Sequence, residues 1–240
     1  MAETVGWPTQ RCGRKMKRQM NFRSAAARVL CSKWSVQWIY SKARRVGAMS
    51  AISIPAWNAQ GVIPPLDVLN PTSATRSPYQ VSLTDLILRF NTSSDRQTIL
   101  DGFLRFRAAW HGARIVAGFQ WIDGSFLEDI ETLESRPPND IDVMTFFHLP
   151  TGVTQAAILA SHPDLFDQGK VRTAFHVDSY FQGLAAAGDH LVRTSAYWYS
   201  VWSHRRNLAW KGYFEVPLDP VDDSAARALL LSTSATGGAP

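Results

Sequence analysis

The chain has 240 residues, which is enough for one domain, or for one domain with an appendage. Its content of 45% hydrophobic and 19% charged residues is ordinary for a globular protein, and no apolar run approaches the roughly 18 residues of a transmembrane helix. Both cysteines, Cys12 and Cys31, lie in the first fifth of the chain, which excludes a disulfide framework or a cysteine-based zinc site in the remainder. We therefore expect a protein of the reducing cytoplasm with no membrane partner.

The net charge of +5 is unevenly distributed along the chain. Residues 1–48 carry 11 lysines and arginines against one acid, a net of +10, whereas the remainder carries 14 bases and 19 acids, a net of −5. The high isoelectric point therefore does not indicate nucleic-acid binding by the globular part. The basic segment can be a translated extension upstream of a start at Met49, a disordered tail that touches anionic partners, or an organelle transit peptide.

A proline-rich stretch separates the basic segment from the expected globular domain. Residues 49–80 contain five prolines and the turn formers Asn58, Gly61 and Asn70, which predicts an extended arm. Residues 81–231 then carry the periodic patterns of a single folded domain, and the small residues of 232–240 predict a disordered tail.

Two helices are predicted at the start of this domain. The sequence Ser82-Leu-Thr-Asp85 resembles a capping box with Asp in the position of Glu. Apolar residues follow it at helical spacing: Leu83, Leu86, Ile87 and Phe90. A second helix is expected from about Arg96 to Trp110, closed by Gly112.

Strand and helix patterns alternate through the rest of the domain. The predicted strands are 114–122, 140–147, 174–181 and 213–218, the predicted helices are 126–133, 154–162 and 184–203, and a loop is expected at 163–170. The first of these helices has an acidic face that we expect to be solvated: Glu128, Asp129, Glu131 and Glu134. Trp198 and Trp202 are one helical turn apart and predict core positions. The alternation predicts an α/β (α+β) fold, a small mixed sheet flanked by helices.

The predicted strand 140–147 opens with two carboxylates. Asp140 and Asp142 are two residues apart, so they project to the same face, about 7 Å apart at their roots. Such carboxylates repel each other unless a cation lies between them, and Mg²⁺ favours oxygen ligands of this kind together with phosphates. The preceding Gly124-Ser125 turn leads into a helix and offers backbone N–H groups to a phosphate. The stretch therefore predicts a metal site beside a phosphate site.

A third acid, Asp178, lies on the predicted strand 174–181. In this order, Gly124-Ser125, Asp140-Ile-Asp142 and Asp178 resemble the DNA-polymerase-β-like nucleotidyltransferase superfamily. The hallmark of that superfamily is Gly-Gly or Gly-Ser after a hydrophobic residue, then Asp-x-Asp or Asp-x-Glu, then a later acid. Further stretches are similar to a group of small, poorly characterised bacterial single-domain proteins within it: 54–65, 122–126, 139–143, 177–180 and 211–212. The resemblance covers roughly residues 49–218 and favours a start near Met49.

The resemblance implies a polymerase-β-like fold and nucleotidyl transfer, in which an acceptor hydroxyl attacks the α-phosphate of a nucleoside triphosphate and pyrophosphate leaves. It implies two Mg²⁺ ions, or Mn²⁺, about 3.5–4 Å apart. Asp140 and Asp142 would bind both ions, and Asp178 would bind the ion on the acceptor side and help to deprotonate the hydroxyl. The implied nucleotide-binding residues are Gly124 and Ser125 for the β- and γ-phosphates, with Lys211 and Arg205 as counter-charges.

The sequence leaves the acceptor open, whether a protein, a tRNA end or a small hydroxylated molecule, and a toxin–antitoxin or phage-defence pair is one setting for it. The alternative from another class is a catalytically idle nucleotide-binding or antitoxin-like module that works by protein contact. A third interpretation is nucleic-acid binding through residues 1–48. Asp123 either supports the metal ligands or only shapes the turn, and we expect a structural role for His176.

Overall fold

The structure, a computed structural model, describes residues 54–236, with side chains through residue 232. The basic segment 1–48 and the expected start at Met49 lie outside the described residues, as do residues 237–240. The strands are β1 (Tyr79–Gln80), β2 (Ala117–Asp123), β3 (Ile141–His148), β4 (Val177–Gly183) and β5 (Phe214–Pro217). The α-helices of the described part are α1 (Leu83–Phe90), α2 (Ser94–Gly112), α3 (Ile130–Glu134), α4 (Gln155–Ser161), α5 (Gln168–Phe175), α6 (Gly188–Trp202) and α7 (Asp223–Thr236).

The five strands form one sheet in the order β1-β5-β2-β3-β4. The central strand β2 is antiparallel to both of its neighbours, β3 and β5. The outer pairs, β1 with β5 and β3 with β4, are parallel. The predicted α/β fold with a small mixed sheet flanked by helices is therefore confirmed.

Helices pack on both faces of the sheet. On one face, Trp110 of α2 lies with its ring centroid 5.0 Å from that of Phe147 on β3. On the other face, Trp198 of α6 lies 4.4 Å from Tyr180 of β4, again between ring centroids. Tyr180 and Asp178 are two residues apart on β4, so α6 covers the face to which Asp178 belongs.

The first two helices form as their sequence patterns predicted. The Ser82 hydroxyl accepts the backbone N–H of Asp85 at 3.0 Å, so Ser82 caps the helix, and it donates to the Asp85 carboxylate at 2.6 Å. The four apolar residues of α1 are all buried. The second helix, α2, includes the predicted span and ends at Gly112.

The predicted loop at 163–170 and the predicted strand at 174–181 are wrong in their bounds. A 3₁₀ turn and then helix α5 occupy most of this stretch, and the Asp167 side chain caps α5 by accepting a backbone N–H. His176 takes a left-handed conformation with φ 55°, which ends the helix. The strand β4 therefore begins only at Val177.

The described part of the arm has no helix but contains successive turns, and it is bound to the domain at several points. The Trp57 indole donates to the carbonyl of Leu127 at 2.7 Å, and the backbone N–H of Gly212 donates to the carbonyl of Ile63 at 2.7 Å. The arm therefore supports the segment that follows β2.

At the other end, helix α7 extends through residues 232–236, which the composition had assigned to a disordered tail. Among the described residues, no helix combines the length and the apolar character needed to cross a bilayer.

Candidate functional site

Three neighbouring strands bring three carboxylates side by side. Asp123 at the end of β2 is the register partner of Asp142 on β3, and Asp142 is the register partner of Asp178 on β4. Register partners project to the same face of a sheet, and neighbouring strands lie about 4.8 Å apart. Asp142 therefore has an acid on each side, and Asp140, two residues before it, adds a fourth on the same face.

The environment of Asp142 disfavours a negative charge. Burial, followed by the neighbouring carboxylates of Asp123, Asp140 and Asp178, raises the pKa of Asp142 to about 7. The ammonium group of Lys211 acts in the opposite direction but does not cancel these effects. The charged form of the central carboxylate is consequently disfavoured by burial and by its acidic neighbours.

Helix α5 supplies polar partners to the two outer acids. The Arg172 guanidinium donates to Asp140 in an ion pair, and the Gln168 amide donates to Asp178. The Tyr180 hydroxyl also donates to Asp178, at 3.3 Å. Gln168 and Arg172 are four residues apart, so they lie on the same side of α5. The Arg172 side chain is 57% exposed and can move away without unpacking the core.

The Gly124-Ser125 turn lies directly against the central acid. Gly124 has φ +95°, and a Cβ atom at this position would lie 2.9 Å from Oδ2 of Asp142. Only glycine therefore fits the turn while Asp142 keeps its place. Ser125 begins a 3₁₀ turn, whose first N–H groups have no acceptor within the turn.

A buried lysine pairs with two acids of the site. The ammonium nitrogen of Lys211 lies 3.0 Å from Asp123 Oδ1 and 3.0 Å from Glu128 Oε1, and the residue is only 4% exposed. Burial lowers the pKa of Lys211, but the two carboxylates raise it above its ordinary value. Burial likewise raises the pKa of Asp123 to about 6, although Lys211 opposes this. Lys211 thus acts as an internal counter-ion for these two acids.

Arg205 extends this ion network toward the rim of the site. Its guanidinium lies 2.7 Å from the Glu128 carboxylate and 2.8 Å from that of Glu134. The expectation that Glu128 lies on a solvated face is wrong, because its pairing with Lys211 and Arg205 holds it in the interior. Both sequence-predicted counter-charges are therefore already paired with protein carboxylates.

A second buried cation, Arg96 of α2, fixes the turn after β2. It donates to the carbonyls of Phe126 and Glu128 at 2.6 and 2.7 Å, and to the Glu131 carboxylate at 2.6 Å. This pairing, ahead of other effects, lowers the pKa of Glu131. The turn that carries Gly124 and Ser125 is consequently held from below by a helix of the core.

The acids, the turn and the ion network surround one cavity of about 720 Å³. Its floor contains the carboxylates, and one wall is a face of α6. All seven predicted site residues line it: Gly124, Ser125, Asp140, Asp142, Asp178, Arg205 and Lys211. Other lining residues were not predicted as site residues or were left open, namely Asp123, Arg172, Tyr180, Tyr197, Trp198 and Arg206.

The carboxylates of the cavity are suitable ligands for a divalent cation, although they do not form a preformed coordination site. In residues 54–236, no three His, Cys, Asp or Glu side chains are close enough to form a ready metal site. The carboxylates nonetheless line one cavity, and oxygen ligands of this kind are those that Mg²⁺ prefers. The residues that would hold such an ion are Asp140, Asp142 and Asp178.

Comparison with other proteins gives a family but no described activity. No curated protein and no solved structure matches the chain. A family of unknown function, DUF6932, matches residues 55–217, which include all five strands and every residue of the candidate site. The chain belongs to the DUF6932 family.

Proposed function

We propose that the protein is a metal-dependent nucleotidyltransferase that moves a nucleoside monophosphate from a triphosphate to an acceptor hydroxyl. The observation that carries the proposal is the line of acids in register on three strands, with the Gly124 turn in contact with Asp142. A carboxylate cluster beside a glycine turn provides for cations and for phosphate at one place. The motif order that resembles the polymerase-β-like superfamily supports the same conclusion.

The residues have distinct roles in this reaction. Ser125 and the backbone of Gly124 bind the β- and γ-phosphates, while Asp140, Asp142 and Asp178 are the residues that would hold the cations. Those cations, when bound, neutralise phosphate charge and orient the reacting groups. The acceptor oxygen bonds to the α-phosphorus as the bond to the β-phosphate oxygen breaks, and pyrophosphate leaves. Asp178, which is more open to solvent than Asp123, accepts the hydroxyl proton.

Lys211 and Arg205 support the site in a different way from the one that the sequence suggested. Each is paired with carboxylates, so their positive charge is already balanced. Lys211 holds Asp123 and Glu128 in place beneath the turn, and Arg205 connects Glu128 with Glu134. They therefore position the phosphate-binding turn and reach the triphosphate only through their long-range field.

A catalytically idle nucleotide-binding module is the second candidate. The observation in its favour is that Arg172 and Gln168 already bind the outer acids. In such a module the arginine would remain in place permanently, and a nucleotide would bind without being cleaved.

Label transfer separates the two candidates. The full-length protein is incubated with each α-labelled nucleoside triphosphate, Mg²⁺ or Mn²⁺, and cell extract, and label is sought on protein, RNA and small molecules. We expect transfer by the wild type and a loss of about 100-fold or more in Asp178→Asn, because the general base is removed. Asp189→Asn is the matched control, since Asp189 is an exposed acid of α6.

If the Asp178→Asn variant transfers label as the wild type does, the catalytic role assigned to the acids would be contradicted. Nucleotide binding by the wild type without any transfer would favour the idle module.

A further inference from the structure

One wall of the cavity is an aromatic face of α6, here called the α6 wall: Tyr197, Trp198, Val201 and Trp202. The spacing of these residues places them on one side of the helix. Tyr197 is 61% exposed, so its ring is accessible to a molecule in the cavity. The α6 wall is thus the apolar part of an otherwise charged pocket.

Ring contacts position Trp198 of the α6 wall next to the acids. Trp198 lies between Tyr180 and Trp202, with centroid distances of 4.4 and 5.3 Å. Tyr180 in turn donates to the carboxylate of Asp178. Tyr197 is set edge-on to Trp198 at 5.3 Å. A fixed aromatic surface of this kind binds a planar ring by stacking at little entropic cost.

The cationic rim of the cavity contains an arginine with no acidic partner. Four of the lining cations are each paired with carboxylates: Arg136, Arg172, Arg205 and Lys211. Arg206 also lines the cavity and is exposed, and no carboxylate of residues 54–236 pairs with it. An unpaired guanidinium at this position is suited to bind phosphate through two parallel hydrogen bonds.

We propose that the α6 wall binds the base of a nucleoside triphosphate and that Arg206 binds its phosphates. This inference rests on the proposed function and adds the parts of the site that recognise the substrate. The ring lies against Tyr197 and Trp198, next to the acids. The phosphates extend between the Gly124 turn and Arg206, which carries the free positive charge that Lys211 and Arg205 cannot supply.

Isothermal titration of the full-length protein tests both halves of the proposal. The probes are α,β-methylene-ATP and inorganic tripolyphosphate, each with Mg²⁺, because the second has phosphates but no ring. The variants are Tyr197→Leu, Trp198→Leu and Arg206→Gln. Tyr199→Leu and Arg193→Gln are matched controls, since both residues are on α6 and neither lines the cavity.

Tyr197→Leu should weaken binding of the ATP analogue at least about five-fold, because one base stack is lost, and leave tripolyphosphate binding unchanged. Trp198→Leu should do the same. Arg206→Gln should weaken both probes about ten-fold or more, because charged hydrogen bonds to phosphate are lost. The two controls should bind both probes as the wild type does.

Unchanged affinity for the analogue in Tyr197→Leu would overturn the ring-binding assignment, and it does so even if Trp198→Leu fails to fold. Unchanged affinity in Arg206→Gln would overturn the phosphate assignment. In both cases the wild type still binds nucleotide, so these results do not contradict the proposed function, which the label-transfer assay tests separately. A wild type that binds neither probe would overturn the inference and the proposed function together.

Discussion

Asp142 occupies the least favourable position for a charge in the site, because it is buried between two acids in register and follows a third. An isolated folded protein gains nothing from such an arrangement, since carboxylates repel and buried charges lose hydration. A bound cation reverses both effects. The position is therefore costly for stability and useful for binding.

Replacing Asp142 with asparagine should stabilise the protein in the presence of a chelator. The folded-state pKa of Asp142 is raised to about 7, above the ordinary carboxyl value, so its charge destabilises the fold as pH rises from about 4 to 7. At pH 8 this rise of the pKa by about three corresponds to a gain of at most about 4 kcal/mol, or up to about 8–16 °C in Tm. At pH 5 the gain should be smaller, which thermal unfolding at both pH values measures.

Asp140→Asn is the matched control for this measurement, because Asp140 already has Arg172 as its ion-pair partner. It should give no comparable gain at pH 8. A lower Tm for Asp142→Asn at pH 8 would contradict the proposed electrostatic repulsion.

Substituting Gly124 with alanine should displace Asp142. The new methyl group would lie 2.9 Å from the carboxylate, and the backbone has a positive φ that costs about 1–2 kcal/mol for any residue with a Cβ. Gly152→Ala is the matched control, since Gly152 also has a positive φ but open space around it. Both variants should lose stability, but only Gly124→Ala should lose Mg²⁺-dependent nucleotide binding.

Titrating the two glycine variants with Mg²⁺ and an ATP analogue compares their nucleotide affinities directly. Equal binding by the two would mean that contact between the turn and Asp142 has no part in the function.

At the scale of elements, helix α2 connects the core to two distant parts of the chain through buried arginines. Arg96 binds the turn after β2, as described above. Arg107 binds the carbonyls of Pro217 and Asp219 and the carboxylate of Asp223 at the start of α7. One arginine thus supports the site, and the other fastens the C-terminal helix.

These two arginines make a matched pair of variants. Arg96→Met and Arg107→Met should each cost about 3–5 kcal/mol, because each leaves buried polar partners uncompensated. Measured well below the lowered Tm, Mg²⁺-dependent nucleotide binding should be lost in Arg96→Met and kept in Arg107→Met. Binding that survives in both variants would refute a role for Arg96 in positioning the Gly124 turn.

Elements with strong local signals could be predicted from the sequence. Helix α1 combines a side-chain cap with an amphipathic pattern, and both are local properties. Helix α5 has eight residues, a glycine at its second position and only Val171 buried, so it had no clear apolar repeat. Missing α5 also meant missing Gln168 and Arg172, which face the acids from that helix.

At the scale of the whole molecule, the site depends on contacts between residues far apart in the chain. The pairs of acids follow from strand register, which the sequence does not specify until neighbouring strands are known. That is why Asp123 stayed open as a candidate although Asp140, Asp142 and Asp178 were singled out. Lys211 and Glu128 are in contact although they are 83 residues apart in the chain. The sequence around each residue therefore does not reveal that its side chain is buried.

The proposed function requires the site to adopt a second arrangement. In the present one, Arg172 supplies a positive charge to Asp140, and Gln168 supplies a hydrogen bond to Asp178. Because the Arg172 side chain is largely exposed, a cation that arrives with the nucleotide can take its place at modest cost. An active enzyme requires this exchange, whereas an idle module does not.

The most direct test of the central claim is the melting temperature of the full-length protein with Mg²⁺ and a non-hydrolysable nucleoside triphosphate. At about 100 times the Kd, the ligand should raise the wild-type Tm by about 5 °C or more, and neither component alone should do so. Asp142→Asn should lose the rise, whereas Asp189→Asn should keep it. The account would be contradicted if Mg²⁺ and nucleotide left the wild-type Tm unchanged. It would also be contradicted if they raised the Tm of Asp142→Asn as much as that of the wild type.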